Sequence, residues 1–272
     1  SDIMEGDGLT SEVLTRYNGT VTLAPVRGLK LSGLFSYSKW LQEYGYAETK
    51  QHASTLRDSR NGYAREGGAR SIDRLMELTA EYSRPLNEHN FSVLAGYSYQ
   101  ENENTNHYME NWDFPTDRFD WHQIQLGRAI SSGDFVNLIR TGGGESNLIG
   151  FFGRLSYNYD QKYMLMASVR REKASQLWGT NNEWGTFPAI SAGWRITREA
   201  FMLNQDIFND LKLRFGYGVT GSQPNQAFLG VATLNYSGFV YSNGVWTQTL
   251  VPTTNPNPDL KWEEKRETNI GL

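Results

Sequence analysis

The chain has 272 residues, 26 basic against 30 acidic side chains, a formal net charge of -4, no cysteine and a mean hydropathy of -0.58. Lack of cysteine excludes a disulfide framework, a thiolate metal site and a cysteine nucleophile, and the scattered basic residues leave no electrostatic footprint for nucleic acid. No run approaches the roughly 20 apolar residues that a membrane-spanning helix needs, whereas a membrane β-barrel keeps mild hydropathy because its strands alternate.

The chain starts at Ser1 without a basic and apolar leader. Aromatics form 13% of it, with 15 Tyr, 8 Trp and 27 dispersed Gly, a usage that suits strands and turns. After a tight turn at residues 25–28, Leu29, Leu31, Phe35 and Tyr37 alternate with Lys30, Ser32, Ser36 and Ser38. A long excursion at 41–70 follows, then a strand in which Met76, Leu78, Ala80 and Tyr82 oppose Glu77 and Glu81. A short turn at 85–89 leads to Phe91, Val93, Ala95, Tyr97 and Tyr99 against Ser92, Gly96, Ser98 and Gln100.

The next excursion, 101–146, includes Gly142, Gly143 and Gly144, read as loop flexibility because no Lys-Ser or Lys-Thr completes a phosphate cradle. The clearest alternation runs from 147 to 160: Ile149, Phe151, Leu155, Tyr157 and Tyr159 share one side, and Gly150, Arg154, Ser156 and Asn158 the other. A tight turn at 160–162, a strand at 163–171, a moderate loop at 173–186 and a strand at 190–197 come next. The link at 198–210 holds one helical turn at 199–203, and a strand at 211–220 precedes a long stretch at 221–258. The pattern gives about nine strands of roughly 10 to 13 residues, longer than typical soluble strands and close to a tilted bilayer span. Short and long connections take turns, as periplasmic turns and extracellular loops do in outer-membrane barrels.

An Arg facing lipid at mid-bilayer costs about 2–4 kcal/mol, so Arg154, Arg170 and Arg214 are expected on a watery face, together with Glu77 and Glu81. Tyr157, Tyr159 and Tyr163 flank one tight turn and would serve an interfacial girdle or plug a soluble core with equal ease. His52, His89, His107 and His122 lack metal-site spacing and read as loop residues. Gly216, Gly218 and Gly221 spell a dinucleotide fingerprint, but no helix follows and no acid occurs before Asp259. Glu263, Glu264 and Glu267 suggest a solvated edge, and no catalytic constellation assembles.

The stretch from Ser222 to Pro258 carries no charge yet holds Phe228, Tyr236, Phe239, Tyr241 and Trp246 among Asn, Thr, Ser and Gly. That mixture stacks on sugar rings and hydrogen-bonds hydroxyls. Trp112, Trp121, Trp178 and Trp184 lie in other expected loops, so candidate substrate contacts are Trp112, Trp121, Trp178, Trp184, Tyr236, Tyr241 and Trp246; packing of loops onto one another is the plainer role for each.

From Asn147 onward four blocks in order resemble the SusC/RagA-type TonB-dependent outer-membrane transporters. They are Asn147-Leu148-Ile149-Gly150-Phe151-Phe152-Gly153-Arg154-Leu155-Ser156-Tyr157-Asn158-Tyr159-Asp160 with Lys162-Tyr163, the run from Trp184 to Ile196, the run from Leu211 to Gly221, and Asn255-Pro256-Asn257-Pro258-Asp259-Leu260-Lys261-Trp262-Glu263. Arg171-Glu172-Lys173-Ala174-Ser175 departs from the Arg-x-Asp-Gly-Ser-Ser that this family often carries there.

The resemblance implies an all-β, antiparallel, up-and-down transmembrane barrel of about 22 strands, of which residues 1–272 supply about nine. Signal sequence, plug domain and final strands would lie outside this slice. Such a protein sits in the outer membrane of a Gram-negative bacterium, with lipid around it. It pairs with a SusD-like surface lipoprotein, couples to the TonB complex through its N-terminal plug region, and imports oligosaccharides or peptides without a cofactor or catalysis. A soluble carbohydrate-binding or adhesin-like β-protein is the alternative, and an outer-membrane hydrolase barrel a remote third. As an isolated piece the chain would leave two strand edges unpaired and is expected to aggregate outside detergent.

Overall fold

The computed structural model describes residues 5–132 and 138–272. In chain order they form β1 (Gly6–Val26), β2 (Leu29–Glu48), a short helix α1 (Ala53–Arg57), β3 (Tyr63–Leu86), β4 (His89–Trp112), a helical turn α2 (Arg128–Ser131) and β5 (Ile139–Tyr159). There follow β6 (Tyr163–Ala174), β7 (Trp184–Arg195), β8 (Lys212–Ser222), β9 (Leu234–Ser242), β10 (Val245–Pro252) and β11 (Glu263–Gly271). Nine strands make one sheet in the order β1-β2-β3-β4-β5-β6-β7-β8-β11, and β9 pairs with β10 apart from it. Pairing from β5 through β8 to β11 is antiparallel throughout.

The count of nine agrees with the alternation in the sequence, but the lengths do not. β1 to β5 run for 20 to 24 residues. The strands therefore extend far into the stretches 41–70 and 101–146, leaving connections at 49–62 and 113–138, of which 133–137 lie outside the described residues. Gly142, Gly143 and Gly144 accordingly stand inside β5, where a Cβ on Gly142 would meet Asn106 Oδ1 at 2.6 Å. His89 and His107 lie in β4, not in loops. The connections do alternate, with 27–28, 87–88 and 160–162 short and 49–62, 113–138, 175–183 and 223–262 longer. The 196–211 link carries two 3-10 turns, Ile196–Arg198 and Ala200–Met202, instead of a single helical turn. The uncharged 221–258 stretch holds the β9–β10 hairpin, closed by Asn243 and Gly244 at φ of 51° and 81°, the left-handed pair that a two-residue primed turn requires.

By internal contacts the described residues divide into two compact units. One comprises the described residues of Ser1–Asn18, Ser36–Arg74 and Glu101–Glu145; the other comprises Gly19–Phe35, Leu75–Gln100 and Ser146–Leu272.

In the second unit the register fixes two chemically distinct faces. Phe151 pairs with Arg171, Leu155 with Ala167 and Tyr157 with Leu165; across the next seam Val169 pairs with Pro188 and Ile190 with Ala167. Ile190 and Ala192 then oppose Tyr217 and Phe215. These apolar side chains share one face and stay open: Phe151 is 51% exposed, Leu165 41%, Val169 46%, Ile190 43% and Phe215 43%. No dry interior forms there, as a two-sheet sandwich would demand.

The alternate residues make the polar face. Arg170 lies over the Phe152 ring at 5.3 Å, donates to Glu172 at 2.5 Å and reaches Ser98 Oγ at 3.3 Å. Arg214 shares a groove with Ser156, Met166 and Ser191, and Ser92 donates to Glu81 at 2.9 Å. The charged residues expected on the wet face thus stand there.

The polar face is roofed at one end. A 3-10 turn, Ser175–Leu177, brings Leu177 against Ala174, Phe187 and Trp262, with Leu177 fully buried. Phe187 crosses Gly221 so closely that a Cβ there would stand 2.1 Å from its ring, which ties the glycine to this packing. At the opposite strand ends Tyr159 and Tyr163 stack at 6.1 Å, Phe91 and Tyr157 meet at 4.8 Å, and Tyr163 and Trp194 both donate to Glu199. An aromatic belt next to short turns is the arrangement of a membrane interface.

Candidate transport surface

A surface that guides polar cargo needs a wet wall, hydrogen-bonding groups and aromatic planes near its mouth. Each unit contributes such groups at the longer connections.

In the first unit α1 follows β2. His52 caps it, with Nδ1 accepting from the Ser54 backbone N–H, and Arg57 pairs with Asp58 at 2.8 Å. The Arg57 guanidinium holds the Asp58 carboxyl below the usual carboxylate range. Beside the helix, the ends of β2, β3 and β4 enclose a cavity of about 720 Å³, lined by Tyr44, Tyr63, Arg65, Glu110, Trp112 and residues of the α1 segment. Arg60 lies 4.2 Å over the Trp112 ring, and Tyr63 donates to Glu110 at 2.7 Å. Trp112 is thus a cavity residue.

Trp121 has a different setting. It packs into the cluster of Ala64, Phe114 and Ile124, with Ala47 and Met109 beside it. A Cβ on Gly45 would stand 2.1 Å from its indole, so a larger residue at 45 would displace Trp121. Asn111, fully buried, holds the same loop by donating to the carbonyls of Ile124 and Gly127, both at 2.8 Å, while its Oδ1 accepts from the Trp112 and Ile130 N–H groups. Trp121 thus packs the 113–132 segment onto the strands, and its half-buried ring also lines a pocket with Tyr44, Glu66 and His107.

In the second unit Trp184 opens β7, stacks on Phe151 at 6.3 Å and carries the Arg171 guanidinium at 5.2 Å. Its partner Phe151 belongs to the apolar face. Trp178, 55% exposed, meets Phe228 edge-on at 6.5 Å, joining the 175–183 connection to the segment after β8. Tyr241 and Trp246 are a cross-strand pair 5.2 Å apart at the hairpin tip, 60% and 67% exposed, and Tyr236 is 61% exposed further down β9. Within the second unit, Tyr241 joins Trp246 and Trp178 meets Phe228. Glu183 fastens the neighbouring connection through Lys173 at 2.6 Å and the Gly179 N–H at 3.1 Å, and both hold its carboxyl below the usual range, the lysine first.

Sequence reasoning passed over Tyr44, Arg65 and Tyr108, because residues 41–70 and 101–146 were assigned to loops. The alternation of Tyr44 with Tyr46, and of Tyr63 with Arg65, carried the signal. Among the described residues no group of His, Cys, Asp and Glu is arranged to hold a metal ion.

The family model described as "TonB dependent receptor-like, beta-barrel" matches residues 7–272. Among curated proteins, TonB-dependent receptor P39 of Formosa agariphila is 34% identical over 194 residues, which is 70% of this chain and 17% of that protein. TonB-dependent receptor SusC of Bacteroides thetaiotaomicron is 35% identical over 133 residues, 47% of this chain and 13% of SusC. The RagAB peptide transporter superposes with a TM-score of 0.83 at 22% identity, covering 98% of this chain and 28% of the transporter chain. Its "open-open" state gives a TM-score of 0.84, likewise at 22% identity, and covers 99% of this chain and 28% of that one. The chain thus spans under a fifth of the length of these curated relatives.

Proposed function

Because the chain belongs to the TonB-dependent receptor-like β-barrel family, we propose that it supplies wall strands and extracellular loops to an outer-membrane transporter of the SusC/RagA type. In this reading residues 1–272 are one part of a barrel domain whose plug domain and remaining strands are encoded elsewhere in a longer chain. The barrel sits in the outer membrane of a Gram-negative bacterium. It imports oligosaccharides or peptides, with a SusD-like surface lipoprotein closing its mouth and the TonB complex driving transport through the plug. The likeness to RagAB, a peptide transporter, supports peptides as one class of cargo. Trp112, Trp121, Trp178, Trp184, Tyr236, Tyr241 and Trp246 are the aromatic residues we propose as cargo contacts, with Trp112, Trp178, Tyr236, Tyr241 and Trp246 the first to test.

The observation that carries the reading is the two-faced sheet. An open apolar face on Phe151, Leu165, Val169 and Ile190 stands back to back with a face bearing Arg154, Arg170 and Arg214. Hydrocarbon on one side and water on the other satisfies both at once. A soluble carbohydrate-binding protein would have to leave the apolar side in water. The relatives are receptors and not enzymes, and the transporter reading needs no reaction from this chain.

The test uses the full-length protein in its native host. It is expected in the outer-membrane fraction, to co-purify with a surface lipoprotein, and to support oligomer uptake that stops when TonB is deleted. Recovery from the soluble fraction, or uptake indifferent to TonB, would refute it.

A further inference from the structure

Arg65 is the feature that the transporter reading leaves without a role. Three adjacent strands present it: Tyr44 from β2, Arg65 from β3 and Tyr108 from β4. The guanidinium carbon lies over two phenol rings, 4.3 Å from the Tyr108 centroid and 5.5 Å from that of Tyr44. Gly67 makes the close approach possible, since a Cβ there would stand 2.7 Å from the Tyr44 hydroxyl and 2.8 Å from the Tyr108 Cβ.

Every other charged side chain that lines the cavity has a hydrogen-bond or ion-pair partner. Arg57 and Arg60 both pair with Asp58, at 2.8 and 3.7 Å. Glu48 accepts from Tyr46 at 3.0 Å and lies 3.4 Å from His52, and Glu110 accepts from Tyr63. Among the described residues no carboxylate comes within 4.0 Å of Arg65, and its Nε is buried without a hydrogen-bond partner. A guanidinium that only filled space would be expected to take up a neighbouring acid, because a buried unmet donor is costly. Contact with two rings restricts the rotamer freedom that a bidentate contact would otherwise have to freeze.

We propose that Arg65, clamped by Tyr44 and Tyr108, is an anion subsite that receives a carboxylate of the cargo, with Trp112 stacking on the unit next to it. This rests on the transporter reading and narrows it to carboxylate-bearing oligomers. A sugar acid or a peptide terminus presents the same planar, two-oxygen acceptor to the fork.

The experiment measures affinity calorimetrically for the full-length transporter in detergent, using two matched pairs. One pair is hexagalacturonate and its methyl ester; the other is an N-acetylated Gly-Ser hexapeptide with a free C-terminus and its amide. The charged member of at least one pair should bind about tenfold more tightly, as one charge-assisted contact implies, and the pair that shows the preference identifies the source of the carboxylate. R65Q should bring the two members of that pair to parity. R65K keeps the charge but not the planar fork, and should retain only part of the preference. Heat-modifiable gel migration identifies folded variants; if R65Q does not fold, R65K decides alone. Lack of preference in both pairs, a preference that survives R65Q, or an R65K preference equal to the parent's overturns the proposal. Uptake is not read, so a TonB-independent protein would sink the transporter reading and leave the charge preference standing.

Discussion

Placing an arginine at Val169 tests the assignment of the two faces most directly. Val169 is 46% exposed on the apolar face, paired with Gly153 on one side and Pro188 on the other. Six residues separate it from Tyr163, the belt residue at the start of β6. At about 3.3 Å per residue that is roughly 20 Å along the strand, and a tilt near 40° reduces it to about 15 Å along the membrane normal. The apolar band of such barrels is about 25 Å tall, so Val169 falls within a few ångströms of its middle. Val169→Arg should therefore cost about 2–4 kcal/mol, and Tyr163→Arg, at the interface, about 0–1 kcal/mol. Met166→Arg is the matched control, because Met166 shares a polar-face groove with Ser156, Ser191 and Arg214; it should cost less than about 1 kcal/mol. Denaturant titration of the full-length protein refolded into lipid vesicles reads all three. Equal losses for Val169→Arg and Met166→Arg would refute the assignment of lipid and water to these faces.

Three further outcomes follow from the packing. Leu177→Ala removes a fully buried side chain from the Ala174, Phe187 and Trp262 cluster and should cost about 2–5 kcal/mol of local stability, seen as faster hydrogen exchange in 175–187. Asn111→Ala strips two donors and one acceptor from a buried site and should cost about 1–3 kcal/mol, seen as protease cleavage within 113–132 while the strands stay intact. Glu183 has its folded pKa depressed by Lys173 and the Gly179 N–H. Its contribution is therefore complete above the unfolded value of about 4.3 and is lost as pH falls through the lower folded value. Protease sensitivity of the 175–183 connection should rise below about pH 4, and E183Q should flatten that dependence; an unchanged profile in E183Q would disprove the linkage.

Strand existence and face were legible because burial on one side imposes period two, as Arg154 and Phe151 or Glu81 and Tyr82 display. Strand length was not. β2, β3 and β4 continue past residues 41, 70 and 101 on cross-strand polar pairs, such as Gln42 to Glu12 at 2.7 Å, Arg70 to Glu103 at 2.6 Å and Asn102 to Asp73 at 2.7 Å. Those partners lie far apart in sequence and produce no apolar alternation, so the outer halves resembled loops. The hairpin was legible and was missed: Asn243-Gly244 between Tyr241 and Trp246 is a strong two-residue turn signal, outweighed by the uncharged Ser, Thr and Asn around it. The cargo candidates sorted by what lies opposite each ring, which residue type alone does not encode. Arg60 lies over Trp112, Trp184 meets Phe151, and Trp121 rests on a glycine.

Asn111 gives the 113–132 segment an unusual freedom. One amide group at a strand end grips two carbonyls and two N–H groups of the main chain, and main-chain atoms are the same whatever side chains they carry. A replacement segment has to return its backbone to that grip and supply apolar groups where Phe114, Trp121 and Ile124 now pack against Ala64 and Gly45. Descendants of this protein can therefore exchange the exposed part of the segment while those anchors keep the sheet beneath unchanged.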